Sequence, residues 1–531
     1  MTSPARMRPT HPADHGLADL AAAFDLVTGV PQELASVRVT GVTVTSTDVE
    51  PGDLFVAVPG LRVHGATYAS SAVAAGAVAV VTDEAGAELL SDLTVPVLIS
   101  ADPRGVAGPL AAHVHGTPGD RLTTVGITGT NGKTTTTYFV DAALRAAHRL
   151  TAVMGTVELR IGDEGIESPR TTVEAPVLQA ILALALERGA TAMVTEVSSH
   201  ALALGRVHGL EFDVAAFTNL QRDHLDFHGD MEGYFRDKAR LFAPGQARRG
   251  VVVVDDEWGR RLAREARIPV ESVATHVGAP EADDADWAVV AADIGLDGVG
   301  STFTLRAPDG TLHEAASPLP GLVNVSNAAL AVVVAHAAGV PLAAAIEAVG
   351  IAGAVPGRME RVIERGDGLP LALVDYAHTP DALVLALEAV RPITPGRLVL
   401  VFGSDGDRDQ GKRPIMGEIA ARLADVIVVT DENPRSEEPQ SIRSAILDGV
   451  RAVRPDLTDV HEATTSRTQA IHDALALADE PDTVIITGKG HEPTQEIAGV
   501  FHRYNDRDVL RSAFEQRARA VRDAEAAENH A

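Results

Sequence analysis

Apolar residues along this chain come in short alternating or continuous runs, and the spacing between runs sets the expected architecture. From about Val37 to Ile99, VRVTGVTVTST alternates, Pro51-Gly52-Asp53 marks a turn and DLFVAVPG reads as a buried strand. A small-residue helix (Ala66 to Ala77) and the strand VAVVTD follow, then a linker, HGTPGDR, at 115–121. Beyond it the strand LTTVGIT enters a Gly-rich turn and a helix from about Lys133 to Ala147. ATAMVTEV, VAAFTNL and GVVVVDD are further apolar strands, each leading into polar or helical sequence, the βα alternation of a mostly parallel sheet. Residues 283–316 are strand-rich and precede a helix from about Val325 to Ala338. PGRMER at 356–361 is a second joint, after which βα units restart with LALVDYAHTPDAL, RLVLVFGSDGDRD, DVIVVTDENPR and TVIITGKGHE. Each of these strands runs into a polar loop, the carboxyl-end position where open α/β sheets bind ligands. The expected fold is α/β with parts at 1–120, 121–355 and 356–531, and with loose tails at 1–18 and 518–531.

Composition narrows the function. At 531 residues and 45% apolar, the chain has length for three or four domains. No uncharged apolar run reaches the ~18–20 residues of a membrane span, and the N-terminus has no signal core, so a cytoplasmic protein is expected. Absence of cysteine excludes disulfide frameworks, thiolate zinc sites and cysteine nucleophiles. A net charge of −28 argues against nucleic acid as a partner. Among the 45 basic residues only Lys133, Lys238, Lys412 and Lys489 are lysine. In so arginine-rich a chain, lysines mark candidate positions where a compact ammonium or a free amine is needed.

The clearest motif is GITGTNGKTTT at 126–136. Ile127 replaces the first glycine of a strict Walker A sequence, yet the strand–glycine–helix context remains. Backbone N–H groups of Gly129, Thr130, Asn131 and Gly132 can wrap an anion at the helix N-terminus. Lys133 would meet the β/γ-phosphates, and Thr134 would offer a hydroxyl to Mg²⁺. Glu196, closing ATAMVTEV, and His224, in TNLQRDHLDFHG, are candidates for the rest of a divalent-metal shell; alone, each is an ordinary polar residue.

GTNGKTT, EVSSH, TNLQRDHLDFHGD and YFRDKARLF together resemble the Mur ligases, ATP-dependent enzymes that build the peptide stem of bacterial cell-wall precursors. The resemblance continues through GLVNVSNAALA, PGRMERV, VDYAHTPDAL, GDRDQGKRP, DENPR and GKGHE, from about residue 37 to 510. It implies a small N-terminal α/β domain for the uridine nucleotide, a central P-loop ATPase domain and a C-terminal Rossmann-like domain bringing an amino acid. The implied reaction joins meso-diaminopimelate to UDP-N-acetylmuramoyl-L-alanyl-D-glutamate through an acyl-phosphate, with Mg²⁺ as cofactor and ATP as co-substrate, and a monomer is expected. Gly129 to Thr135 would hold the ATP phosphates, with Asn324, Asn327, Arg358 and Asp375 near the nucleotide. Val44, Ser46 and the turn Leu61, Arg62, Val63 would face the uridine part; Thr171, Thr172, Ser198 and Arg206 would contact the muramoyl-dipeptide. Arg408, Glu432, Asn433, Pro434, Arg435, Gly488 and Glu492 would hold the diamino acid. Lys238 would carry a CO₂-derived carbamate (an N6-carboxylysine) and act with Lys133, Glu196 and His224 in metal binding and catalysis. The chain departs from the family's usual residues at Thr45 and Thr47, at Leu204, and at Ser404-Asp405.

Other readings start from the same residues. An L-lysine-adding ligase would differ only in the amino-acid pocket. Folylpolyglutamate synthetases share the phosphate loop but lack a uridine-binding first domain and the Asn-Pro-Arg signature. A non-catalytic, ATP-gated protein would turn over no ATP in response to a carboxylate and an amine.

Overall fold

The computed structural model describes residues 7–28, 34–60, 62–147, 149–295 and 300–528, side chains from 518 onward excepted. It divides into two compact units, Met1–Ala288 with Arg306–Thr311 and Ala329–Val349, and Val289–Leu305 with Leu312–Ala328 and Gly350–Ala531.

Within the first unit, strands β1 (Gly41–Thr43), β2 (Asp53–Val56), β3 (Ala79–Thr82) and β4 (Val97–Ile99) form a parallel sheet in sequence order. Successive side chains of a strand point to opposite faces, and β2 shows what this achieves. Leu54 and Val56 join a core with Leu17, Leu20 and Leu110, while Phe55 joins another with Ala66, Ala69 and Ala72. The sheet is therefore covered on both faces, as its continuous apolar runs require.

The stretch 7–18, expected as a loose tail, is tied down wherever it is described. Arg8 pairs with the buried Asp53 at 2.7 Å, the Thr10 N–H donates to Glu187 Oε2 at 2.8 Å, and His15–Gly16 pairs with Arg38–Val39. Leu17 then opens a helix, Leu17–Ala23, whose Leu17 and Leu20 are fully buried. A polar composition concealed this, because Arg8 and Thr10 are held by ion pairs and hydrogen bonds rather than by apolar burial. Residues 1–6 lie outside the described residues. At the other end the helix Asp506–Glu528 covers most of the expected 518–531 tail, of which 529–531 lie outside the described residues.

The unit's second sheet is built on β5 (Thr123–Thr128), followed by helix α1 (Lys133–Ala146), β6 (Thr151–Met154), β7 (Ala192–Glu196) and β8 (Phe212–Phe217). Helix α2 (Met231–Ala239), β9 (Ala247–Val253) and β10 (Val270–Ala274) follow, and Trp287–Ala288 pairs in parallel beyond β10. These strands run parallel in the order β6-β7-β5-β8-β9-β10, with an antiparallel hairpin, Glu158–Ile161 and Glu164–Glu167, extending the β6 edge. Because β5 lies between β7 and β8, the loops after all three open on one side of the sheet.

In the second unit, β11 (Glu360–Ile363), β12 (Leu371–Val374), β13 (Leu398–Phe402), α3 (Lys412–Leu423), β14 (Val426–Val429), β15 (Val460–Glu462) and β16 (Thr483–Ile486) form the principal layer. The strand order is β11-β12-β16-β13-β14-β15, parallel except for β11. With β16 inserted between β12 and β13, the loops leaving β12, β13, β14 and β16 converge at the carboxyl edge.

Candidate active site

The phosphate-loop candidate is set by two glycines. Gly129 has φ +145° and an added Cβ would collide with the Thr218 hydroxyl; Gly132, at φ +85°, precedes α1. Gly132 offers α1 no side-chain cap, so its first-turn N–H groups present the positive end of the helix dipole. The loop is held from β8's far end: Asn219 accepts from Asn131 N at 3.0 Å, Thr218 donates to Asn131 O at 2.6 Å, and Asn131 Nδ2 reaches Gln221 Oε1 at 2.6 Å. Thr130 Oγ1 lies 3.2 Å from the Tyr234 hydroxyl. Lys133 Nζ donates to the carbonyls of Gly129 and Thr130 at 3.0 and 2.8 Å.

Glu196, at the end of β7, is buried and accepts from three neighbouring donors. Thr134 Oγ1 donates to it at 3.0 Å, Thr156 N at 2.7 Å and Thr156 Oγ1 at 3.0 Å. Lys238 is buried on α2 and donates to the same Gly129 carbonyl at 2.7 Å, with its ammonium 4.6 Å from the centre of the Tyr234 ring. No carboxylate pairs with it within 4 Å among the described residues. Burial, reinforced by the charge of Lys133, holds its amine well below the usual lysine range. His224 sits at φ +52°, half-exposed, with Nε2 3.3 Å from Asp223. Burial and the two lysines lower its proton affinity, and burial together with His224 and His228 holds His200 at about 4. The Glu196 carboxylate and the Thr134 hydroxyl, joined at the start of α1, are hard oxygen donors of the kind Mg²⁺ takes, and Mg²⁺ uses few protein ligands and leaves positions for substrate oxygens.

A second group adjoins Glu196. Thr172 donates to the Glu196 carbonyl at 2.8 Å and accepts from Ser198 N at 3.1 Å, and Thr171 Oγ1 lies 3.1 Å from Thr156 Oγ1. Arg206 pairs with Glu174 at 3.0 Å and points another N–H at the Thr172 carbonyl, 3.5 Å away. Thr171, Thr172, Ser198 and Arg206, the first and last 35 positions apart, are thus one hydrogen-bonded neighbourhood. In the N-terminal sheet, Val44 and Ser46 are half-buried, whereas Arg62 and Val63 are exposed on a turn closed by the Pro59–His64 bridge. Leu61 lies outside the described residues.

In the second unit the loops of β13, β14 and β16 bring together most of the proposed amino-acid pocket. Arg435 adopts φ +54°; its Nη2 is 3.3 Å from Asp405 and its Nη1 3.9 Å from Glu496. Asn433 Nδ2 donates to Glu492 at 3.1 Å, and the Asn433 carbonyl accepts from Gly406 N at 2.8 Å. The Pro434 carbonyl accepts from Glu437 N at 3.0 Å, closing the turn that carries Arg435. Gly488, at φ +111°, leaves room for the buried Glu432, whose Oε2 would be 2.6 Å from a Cβ there. Burial and the negative charge of Asp405 push the Glu432 carboxyl up to about 8. Arg408 stands apart from this group, exposed, with Nη1 on the Asp407 carbonyl at 3.1 Å. Asp375 is buried, accepting from Met359 N at 2.7 Å and Ala377 N at 2.8 Å, and burial raises its proton affinity. Arg358 lies over the Tyr376 ring at 4.3 Å. Asn324 donates to the Pro320 carbonyl at 2.8 Å and accepts from Asn327 at 3.2 Å.

Three family models match consecutive stretches of the chain: Mur ligase family, catalytic domain, at 38–115; Mur ligase middle domain at 127–335; and Mur ligase, glutamate ligase domain, at 357–490. The chain belongs to the Mur ligase family. A UDP-N-acetylmuramoyl-L-alanyl-D-glutamate–2,6-diaminopimelate ligase of Streptomyces avermitilis is 47% identical over 517 residues, covering 97% of this chain and 99% of that one. A UDP-N-acetylmuramyl-tripeptide synthetase of Leifsonia xyli is 46% identical, covering 97% and 98%. A solved UDP-N-acetylmuramoyl-L-alanyl-D-glutamate–2,6-diaminopimelate ligase superposes with TM-score 0.64 at 32% identity, covering 93% of this chain and 99% of that one. A folylpolyglutamate synthase of Mycobacterium tuberculosis shares the fold, with TM-score 0.58 at 22% identity over 72% of this chain. The Mur ligase architecture of three consecutive domains is therefore that of this chain. No described helix is long and apolar enough to cross a membrane.

Several residues of this Mur ligase were not singled out by sequence. Thr156 follows β6 at the sheet's carboxyl edge, a position that would have flagged it; Tyr234, Asn219 and Gln221 lie within or beside the motifs that carried the resemblance but bear no distinctive spacing. Lys489 was noted only for being lysine; its partners are the buried Asn433 from another loop and Glu492, three residues further on.

Proposed function

We propose that this Mur ligase adds meso-diaminopimelate to UDP-N-acetylmuramoyl-L-alanyl-D-glutamate, at the expense of ATP, in peptidoglycan precursor synthesis. The observation that carries the reading is near-full-length identity of 47% to a ligase named for that reaction, in a chain whose Asn433–Arg435 loop lies against Glu492 and Asp405. ATP phosphates would rest on Gly129 to Thr135, where Lys133 and the N-terminus of α1 offset charge as the dipeptide carboxylate attacks the γ-phosphorus. ADP leaves, and the amine of the third residue attacks the acyl-phosphate carbon. The tetrahedral intermediate collapses with loss of phosphate, forming the amide. Thr171, Thr172, Ser198 and Arg206 would orient the dipeptide carboxylate, and Arg435 would take the distal carboxylate of the diamino acid bidentately.

Thr134, Glu196 and His224 would hold Mg²⁺, which supplies charge neutralisation between the two anions. Burial lowers the proton affinity of the Lys238 amine, which favours the neutral form that adds CO₂; the resulting carbamate would supply a further oxygen ligand. Val44, Ser46, Arg62 and Val63 would face the uridine, and Asn324, Asn327, Arg358 and Asp375 the nucleotide. We place the domain limits at 120 and 355.

The L-lysine alternative is the competitor to include, because the Leifsonia relative's name leaves the third residue open. Phosphate release with the UDP-dipeptide and a panel of amino acids tests both. Release with meso-diaminopimelate and little with L-lysine is expected; equal rates, or release without the dipeptide, would refute the proposal.

A further inference from the structure

Of the four lysines, Lys489 is one whose chemistry the reaction leaves unexplained. Its side chain is fully buried, and its Nζ donates to Asn433 Oδ1 and to Glu492 Oε2, both at 2.8 Å. Asn433 Oδ1 also accepts from Glu496 N at 3.2 Å. An ammonium and a backbone N–H are donors only, so both demand the carbonyl side of the Asn433 amide. The amide nitrogen is thereby turned to Glu492 Oε2, where it donates at 3.1 Å. Glu492 Oε2 therefore receives two donors from the protein. Its Oε1 receives none among the described residues, and the side chain is 29% exposed. One oxygen of the carboxylate is tethered and the other is presented.

We propose that Lys489 is a positioning residue for amino-acid selection: it fixes the Asn433 amide and one oxygen of Glu492, so that the second oxygen meets an ammonium group of the incoming amino acid. The inference rests on the reading of this loop cluster as the amino-acid pocket. Lysine suits the task because two acceptors converge on one point from different loops. A planar guanidinium spreads its donors over a fork and would bring donors without acceptors into a closed space. Lysine in place of the arginine that this chain otherwise uses follows from that geometry. The surroundings are acidic, with Asp405, Glu432, Glu492 and Glu496 in the cluster and Arg435 serving Asp405. Lys489 is the cation that Glu492 itself touches. Without it Glu492 would lose its tether, and Asn433 would lose the contact that fixes which end of its amide faces the pocket.

The test is a double-mutant cycle with Lys489→Met and Glu492→Gln in the full-length enzyme, measuring kcat and the Michaelis constant for each substrate, with thermal melting alongside. Lys489→Met is expected to raise the diamino-acid KM about 10- to 100-fold, the scale of one charge-assisted hydrogen bond. The constants for ATP and the UDP-dipeptide should stay within about threefold. In the Glu492→Gln background the same substitution should add less than about threefold, because the oxygen being positioned is already replaced. Equal rises in all three constants, or a full additive effect in the Glu492→Gln background, would overturn the positioning role. If Lys489→Met does not fold, Asn433→Asp, which keeps an acceptor for Lys489 and removes the donor to Glu492, must raise the diamino-acid constant selectively or the proposal fails. An unchanged diamino-acid constant in Glu492→Gln alone would instead refute the pocket assignment beneath it.

Discussion

Replacing Arg435 by glycine separates substrate binding from stability. The residue sits at φ +54°, where an L side chain costs roughly 1–2 kcal/mol relative to its right-handed alternative and glycine costs little. The substitution also removes a partly exposed pair with Asp405 at 3.3 Å, worth about 0–1 kcal/mol. The two terms nearly cancel, so the melting temperature should hold or rise slightly. Binding should move the other way. Among the described residues the guanidinium makes one hydrogen bond, to Asp405, and its buried Nε has no hydrogen-bond partner, which leaves donors for a ligand carboxylate. Losing such a contact costs about 2–5 kcal/mol, or roughly 30- to 5,000-fold in the amino-acid KM. Asp405 and Glu496 would then face that carboxylate without a cation between them, which favours the upper part of the range. Initial rates with each substrate varied in turn, beside thermal melting of the same preparation, give both numbers. An Arg435→Gly enzyme that melts normally and keeps its diamino-acid KM would refute the assignment. A melting temperature lowered by many degrees would refute the backbone argument.

Lys133→Ala should lower turnover by about 10²–10³, the scale of one preorganised electrostatic donor, in a phosphate-release assay. Lys238→Ala should be nearly inactive and partly restored by short carboxylic acids, while Lys238→Arg should stay inactive; a working arginine variant would make Lys238 a structural cation. Glu432 offers a stability test. Its carboxyl lies near 8 in the folded chain against an ordinary 4.5, so the native state keeps a proton that the unfolded chain releases. Its contribution therefore falls as pH rises from about 4.5 to 8. Glu432→Gln should gain melting temperature relative to the parent across that window, and a pH-independent difference would contradict the shift.

Local chemistry is what the sequence displayed best. The strand–glycine–helix geometry around Gly129 to Thr134 was legible because one strand, two glycines and one helix build it contiguously. The parallel sheets were legible in their continuous apolar runs, since burial on both faces removes alternation. Thr156 and Tyr234 belong to no such contiguous pattern: Thr156, after β6, meets Glu196 at the end of β7, and Tyr234, on α2, meets Thr130 in the loop after β5. Arg408 lies in a motif and is exposed, with its Nη1 on the Asp407 carbonyl, a contact set by the backbone and not foretold by residue type. The N-terminal stretch misled for a related reason: Arg8 matters through Asp53, which is 45 positions away.

The scarcity and placement of lysine also govern how this enzyme meets amine-directed reagents. Lys238 and Lys489 are sealed from solvent, and Lys133 and Lys412 are half-buried, bonded to the phosphate-loop carbonyls and to the His378 carbonyl. Acylating labels and amine crosslinkers therefore find little ordinary surface on which to react, apart from the chain's own terminus. Their accessible side-chain targets are the phosphate loop and the start of α3, so labelling and loss of activity should advance together, and bound nucleotide should shield Lys133 from both.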